Sequence, residues 1–251
     1  MCTKADKGNC LVILNKCDYI TKVLDFISGP GFSILKHNPT TNFTRTVRNM
    51  VYNQRQNLST FNINYKALLN MNPVCPLLYG LPKIHKPDIP IRPVVCFTDT
   101  PVSKITSWLN SILKQHITFA RSFSIKNSLN LTSKISSITL PPSFSMVSFD
   151  VKNLFPSIPS NECIQLVSEH LSSTHLSDDQ YTCIITLLKL CIHQNFFKFN
   201  NQCYTQIDGL AMGSNLSPLL AEIFMNNLES NHIATKKKKK KKKKATTPFP
   251  F

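Results

Sequence analysis

Apolar residues fall in short blocks of differing period, separated by polar stretches marked with proline and asparagine. Residues 4–27 open on the turn string A-D-K-G-N and continue through an apolar run at 10–14. Tyr19, Val23, Phe26 and Ile27 then follow at helical spacing, so turn, strand and helix are predicted in that order. Residues 29–71 are rich in Asn and Thr, are broken at Pro30 and Pro39, and carry a predicted helix over 41–56. Over 77–95 the prolines 82, 87, 90 and 93 exclude a helix and predict an extended, edge-like path. The next helix, 100–119, has Thr100 as its expected cap, Pro101 in the first turn, and one face made of Ile105, Leu109, Ile112, Leu113 and His116. A Ser- and Asn-rich helix-and-loop segment, 120–143, leads into a strand predicted over 145–150. Helices are predicted over 160–171 and 177–192, and a hairpin turning at Asn200 and Asn201 over 196–206. A last helix, 216–228, has Leu219, Leu220, Ile223 and Phe224 as its apolar stripe.

A chain of 251 residues with 42% hydrophobic content can bury a core in one large or two small domains. Its formal charge of +16 shrinks on inspection: nine of the 29 basic residues form the run 236–244, leaving 20 basic against 13 acidic. That residual excess favours a polyanionic partner. The nine cysteines stand singly, with no C-x-x-C and no His-paired zinc spacing, and are expected to be mostly buried thiols in a reducing compartment. The first residues are charged where a secretory signal needs an apolar core, and no stretch of about twenty residues is apolar enough to span a bilayer. An intracellular protein is expected, the nucleus included, with the lysine run a localisation or RNA-binding tail.

Candidate chemistry gathers in four places. Asp6, Lys7 and Gly8 form either a phosphate-facing loop or a plain charged turn. The proline-marked segment presents Lys83, His85 and Arg92, cations suited to a triphosphate or to a merely basic edge, while Arg45 and Arg48 suit a nucleic-acid backbone or a solvated helix face. Asp150, at the end of a predicted strand, offers oxygens to a hard cation such as magnesium, or simply starts a turn. Gly209 and Gly213 let backbone approach a ligand closely. The adjacent Asp178 and Asp179 are excluded as a metal pair, because Ser177 and Gln180 make a capping box and put both acids in a first helical turn.

Three strings, L-P-K-I-H-K-P with R-P-V-V, S-F-D-V-K-N-L-F, and Q-x-x-G-x-x-x-G-S-x-x-S-P, resemble the fingers and palm of reverse transcriptases, in wording close to the Penelope-like retroelement branch. The resemblance covers residues 5–229 and implies an α+β fold with an antiparallel palm sheet backed by helices. It divides the chain into fingers (1–100), partial palm (101–235) and a disordered polylysine tail (236–251). It makes Asp150 a catalytic metal ligand together with the Val151 carbonyl, for two Mg2+ ions in the intact family. Lys83, Arg92, Phe155 and Gln206 become nucleotide contacts, with Phe155 closing the sugar 2′ position, and Gly209, Gly213 and Ser214 become the template and primer loop. An RNA template, a DNA primer and dNTP are the implied partners. Asn215 departs from the proline usual after Gly-Ser. After the glycine loop there is no aromatic-x-Asp-Asp hairpin and no thumb, so a truncated and inactive RNA-directed DNA polymerase is expected. The alternatives are a non-catalytic nucleic-acid-binding module or a functionless relic whose lysines derive from an adenine tract. Missing palm strands would leave an unpaired sheet edge. The motif order further predicts that Asp150, Phe155 and the glycine loop lie together, faced by Lys83 and Arg92.

Overall fold

The structure, a computed structural model, describes residues 1–117, 125, 127–136, 138–139, 141, 143, 147–151 and 153–233. The lysine run lies outside them, as does the first part of the strand expected at 145–150.

The chain opens with an antiparallel hairpin, β1 (Cys2–Lys4) and β2 (Leu11–Ile13), whose turn holds Asp6, Lys7 and Gly8. Helix α1 (Lys16–Ile27) starts where the Asn15 side chain accepts from the Cys17 N–H, and buries Tyr19, Val23 and Ile27 at four-residue spacing. Then come β3 (Phe32–Leu35), α2 (Thr40–Asn53), α3 (Arg55–Ser59), a 3-10 turn at Tyr65–Leu68, β4 (Leu77–Pro82) and β5 (Ile91–Cys96). The second half holds helices α4 (Ser103–His116), α5 (Ser128–Ser136), α6 (Leu154–Ser157), α7 (Ser160–Ser172) and α8 (Asp178–Ile192). These are followed by β6 (Phe196–Phe199), β7 (Gln202–Gln206), α9 (Ser217–Leu228) and a π-helical turn at Glu229–Ile233. No described helix is long and apolar enough to cross a membrane.

Five strands form one sheet in the order β3-β7-β6-β4-β5. The expected α+β class holds, but the sheet is mixed rather than antiparallel, because β4 and β6 run parallel at Leu77 and Lys198. Strands from either side of residue 100 share this sheet, and one apolar core runs through both parts. Beyond the short β4–β6 contact, the Gly80 N–H finds another acceptor, the buried Tyr19 hydroxyl at 2.7 Å, which ties α1 to the β4–β5 hairpin.

Helix α8 supplies the middle of the core: Cys183, Ile184, Leu187 and Leu188 are fully buried, as are Leu109 and Leu113 of α4 and Ile223 of α9. Each such Leu or Ile stabilises the fold by roughly 1.5–3 kcal/mol. Ser177 and Gln180 close the expected capping box, and Asn200 and Asn201 turn the β6–β7 hairpin at φ of 44° and 64°.

Three expectations are corrected. Residues 147–150 form no strand; Val147 and Phe149 remain 69% and 94% exposed, so the apolar run that predicted a strand packs against no layer of the described residues. Helix α4 begins at Ser103, because the buried Thr100 turns its hydroxyl back onto the Phe97 carbonyl at 3.1 Å instead of capping forward. Of the nine cysteines only Cys163, Cys183, Cys191 and Cys203 are buried; Cys2, Cys10, Cys17 and Cys96 are exposed.

Candidate nucleotide-binding cleft

A cleft of about 740 Å³ opens between the N-terminal turn, the β4–β5 hairpin, the segment around α6 and the glycine loop. Lys83, Arg92, Asp150, Val151, Phe155 and Gly213 all line it, joined by Asp6, Lys7, His85 and Lys86. Four of the sequence-predicted side chains, Val151 and one glycine are therefore neighbours across three separate stretches of chain.

Each wall has a local cause. Lys83 leaves the end of β4 as its N–H donates to the Pro90 carbonyl at 2.9 Å, and the hairpin turns through Asp88 and Ile89 at φ of 59° and 45°. The Lys22 ammonium on α1 donates to the Asp88 carbonyl at 2.5 Å and anchors that turn. Arg92 stands on β5 opposite Leu81, and its Nε meets Asp6 Oδ1 at 3.0 Å. The Asp6 N–H donates to the Pro82 carbonyl at 3.0 Å, so the N-terminal turn is stitched to both strands of the hairpin. Across the cleft, Asn153 takes a left-handed φ of 53° and starts α6, which carries Phe155 half-buried against the core.

The glycine loop is fastened from below. Leu210 N–H donates to the Phe155 carbonyl at 2.9 Å, and a β-carbon on Gly209 would stand 2.5 Å from the Pro156 carbonyl oxygen. Gln206, expected to contact nucleotide, is not in the cleft wall. It is buried, and its Nε2 donates to the Asp208 carbonyl at 2.7 Å and the Leu210 carbonyl at 3.4 Å, bracing the loop from within. Ser214 is likewise buried and accepts from the Leu216 N–H at 3.3 Å, while Gly209 lies behind the wall. Asn215, the departure from the usual proline, reaches the Ser107 hydroxyl of α4 at 3.0 Å.

Asp208 is committed elsewhere. Its Oδ1 accepts from the Ser160 N–H at 3.1 Å and the Gly209 N–H at 2.7 Å, which joins the loop to the start of α7. The Ser160 side chain, with these two backbone donors and against the effect of burial, holds the Asp208 carboxyl below its ordinary value. Asp178 and Asp179 sit exposed in the first turn of α8.

The cleft holds more cations than anions. Lys7, Lys83, Lys86 and Arg92 face Asp6 and Asp150, and Asp6 already has Arg92 as its partner. Asp150 makes no hydrogen bond or ion pair to a described residue and is exposed. Among the described residues no three His, Cys, Asp or Glu side chains cluster as a metal site. One free carboxylate and the Val151 carbonyl do not fit a pair of Mg2+ ions, which need several fixed oxygens and near-octahedral geometry. The side chains that line the cleft leave it with a net excess of positive charge.

The Asp6–Arg92 pair was not readable from the sequence, since nothing local links the N-terminal turn to β5; only the charged D-K-G string marked one end of it. On the far side of Gly213 a second cleft of about 450 Å³ is lined by Asp99, Lys104, Ser107 and Asn215 among others. The chain matches no protein-family model and no curated protein.

Proposed function

We propose that this chain is a reverse-transcriptase-type fingers and palm unit that binds nucleotide triphosphate and nucleic acid in the cleft but, as this 251-residue chain, does not polymerise. The observation that carries the proposal is the convergence of Lys83, Arg92, Asp150, Phe155 and Gly213 on one cleft. Arg92 offers a planar fork of donors to phosphate and Lys83 a compact point charge. The Phe155 ring gives an apolar wall beside them, suited to the face of a sugar. In this reading RNA template and DNA primer follow the glycine loop, and Asp150 with Val151 is what the chain retains of a magnesium site. That Asp150 is the one carboxylate without a partner among the described residues lining the cleft supports binding without chemistry, because phosphoryl transfer depends on charge stabilisation that one carboxylate cannot organise.

Two measurements test this. A fluorescent dNTP and a primed RNA template are titrated against the protein at several salt concentrations. Affinity should fall with salt by about 0.7–0.9 log unit per phosphate contact per log unit of salt, and K83A and R92A should each weaken dNTP binding about tenfold. Salt-independent binding, or none, would sink the proposal. Primer extension with magnesium or manganese should remain at background, and robust Asp150-dependent extension would overturn the non-catalytic part.

A further inference from the structure

The N-terminal hairpin packs against the cleft rather than away from it, and its one carboxylate is placed at evident cost. The Asp6 side chain is 2% exposed, its Oδ1 meets Arg92 Nε at 3.0 Å, and its Oδ2 is buried with no hydrogen-bond partner among the described residues. A buried carboxylate with one oxygen unsatisfied is an expensive way to hold a turn together, and an apolar residue would fill the space at less cost. Arg92 by contrast is 53% exposed, and among the described residues its two terminal nitrogens meet no acceptor.

We propose that Asp6 is a positioning residue for Arg92, which makes the β1–β2 turn a working wall of the phosphate site. This rests on the nucleotide-binding reading above. An arginine presents five N–H donors in a rigid fork, and engaging Nε alone fixes the plane of that fork while leaving the outer pair free for a ligand. Asp6 is itself held through the backbone. The Asp6 N–H donates to the Pro82 carbonyl at 3.0 Å, and the preceding Ala5 N–H closes the turn onto the Cys10 carbonyl at 2.9 Å. The guanidinium therefore gives up rotamer freedom on folding and not on binding, which improves affinity for the same contacts.

Coulomb attraction and positioning predict opposite signs here. A carboxylate beside a polyanion site repels the ligand, so its neutralisation should tighten binding if charge were all that mattered. If Asp6 acts by holding Arg92, neutralisation must weaken binding. Inorganic tripolyphosphate and dGTP are the probes, titrated against the full chain and against K83A, R92A, R92K, D6N and the D6N/R92A double variant.

The expected result is roughly a tenfold loss for R92A, a loss of about threefold or more for D6N, and no further loss when D6N is added to R92A. R92K retains the charge and lacks the fork; it should lose about as much as D6N while melting like the parent. D6N binding as tightly as the parent or tighter, with R92A weakened, overturns the positioning role and leaves the nucleotide reading standing. If neither K83A nor R92A weakens either probe, the nucleotide reading fails and this inference with it. Should D6N fail to fold, R92K decides, and R92K binding equal to the parent overturns the proposal.

Discussion

Gly213 and Val95 meet backbone to backbone: a β-carbon on Gly213 would stand 1.9 Å from the Val95 carbonyl oxygen, and the Val95 N–H donates to the Met212 carbonyl at 3.1 Å. This junction joins the glycine loop to β5 and so fixes one side of the cleft relative to the other. At a φ of +102° the position also excludes most side chains on backbone grounds.

Gly213→Ala should therefore destabilise the protein by at least about 2 kcal/mol, the clash adding to the left-handed strain. Gly31, whose β-carbon would meet nothing within 4 Å, is the control, and Gly31→Ala should stay within about 0.5 kcal/mol. Urea midpoints at constant slope read both; equal losses would mean that the loop yields easily and does not brace the cleft.

Tyr19→Phe removes the acceptor of a buried backbone N–H, that of Gly80, and keeps the ring in place. The orphaned donor should cost about 1–3 kcal/mol. Amide exchange at Gly80 should quicken with it. Unchanged exchange would show that another acceptor takes over.

Asp208 gives a pH dependence with a definite sign. Its folded value lies below the 3.8 of an unfolded aspartate, so its ionised form stabilises the fold above that pH, and the contribution is lost as pH falls through the folded value. Asp208→Asn keeps an oxygen acceptor and removes the charge. It should melt lower than the parent at pH 6, and the gap should close as the pH drops below 3.8. A gap that stays constant with pH would assign the effect to shape and not to charge.

Thiol labelling at pH 8 should divide the cysteines by position. Cys2, Cys10, Cys17 and Cys96 are exposed and should react within the first phase. Burial pushes Cys163 and Cys183 up to about 12 and raises Cys191 as well, so these three should label only on unfolding. Early labelling of Cys183 or Cys191 would show that α8 opens on its own.

The elements written in local chemistry were legible in the sequence. Ser177 with Gln180 announced α8, and Asn200 with Asn201 announced the β6–β7 hairpin, because caps and tight turns are decided by residues within a few positions of each other. Motif order also gathers Lys83, Arg92, Asp150, Phe155 and Gly213 around one cleft, as the structure places them. What failed was non-local. A strand at 145–150 needs a partner that its own residues cannot specify, and Gln206 turns inward because β7 offers buried faces at Cys203, Tyr204 and Gln206, which no simple alternation marks. The Asp6–Arg92 contact belongs to the same class, since two charges distant along the chain carry no mark of their pairing.

Proline at position 93 has a consequence for association. Since Val95 turns its N–H outward to Met212, the two-residue period of a strand makes Pro93 the neighbouring outward position on β5, and there it has no N–H to offer. On this flank of the described sheet two successive outward positions offer an incoming chain no donor, Val95 because it is already paired and Pro93 because it has none, so a ladder there is interrupted. The opposite flank, β3, has no such guard; Ile34 is 69% exposed there, and Phe32–Leu35 carries neither proline nor charge. Unwanted growth of the sheet from molecule to molecule should therefore proceed mainly through β3, and a single lysine at position 34 should suppress it.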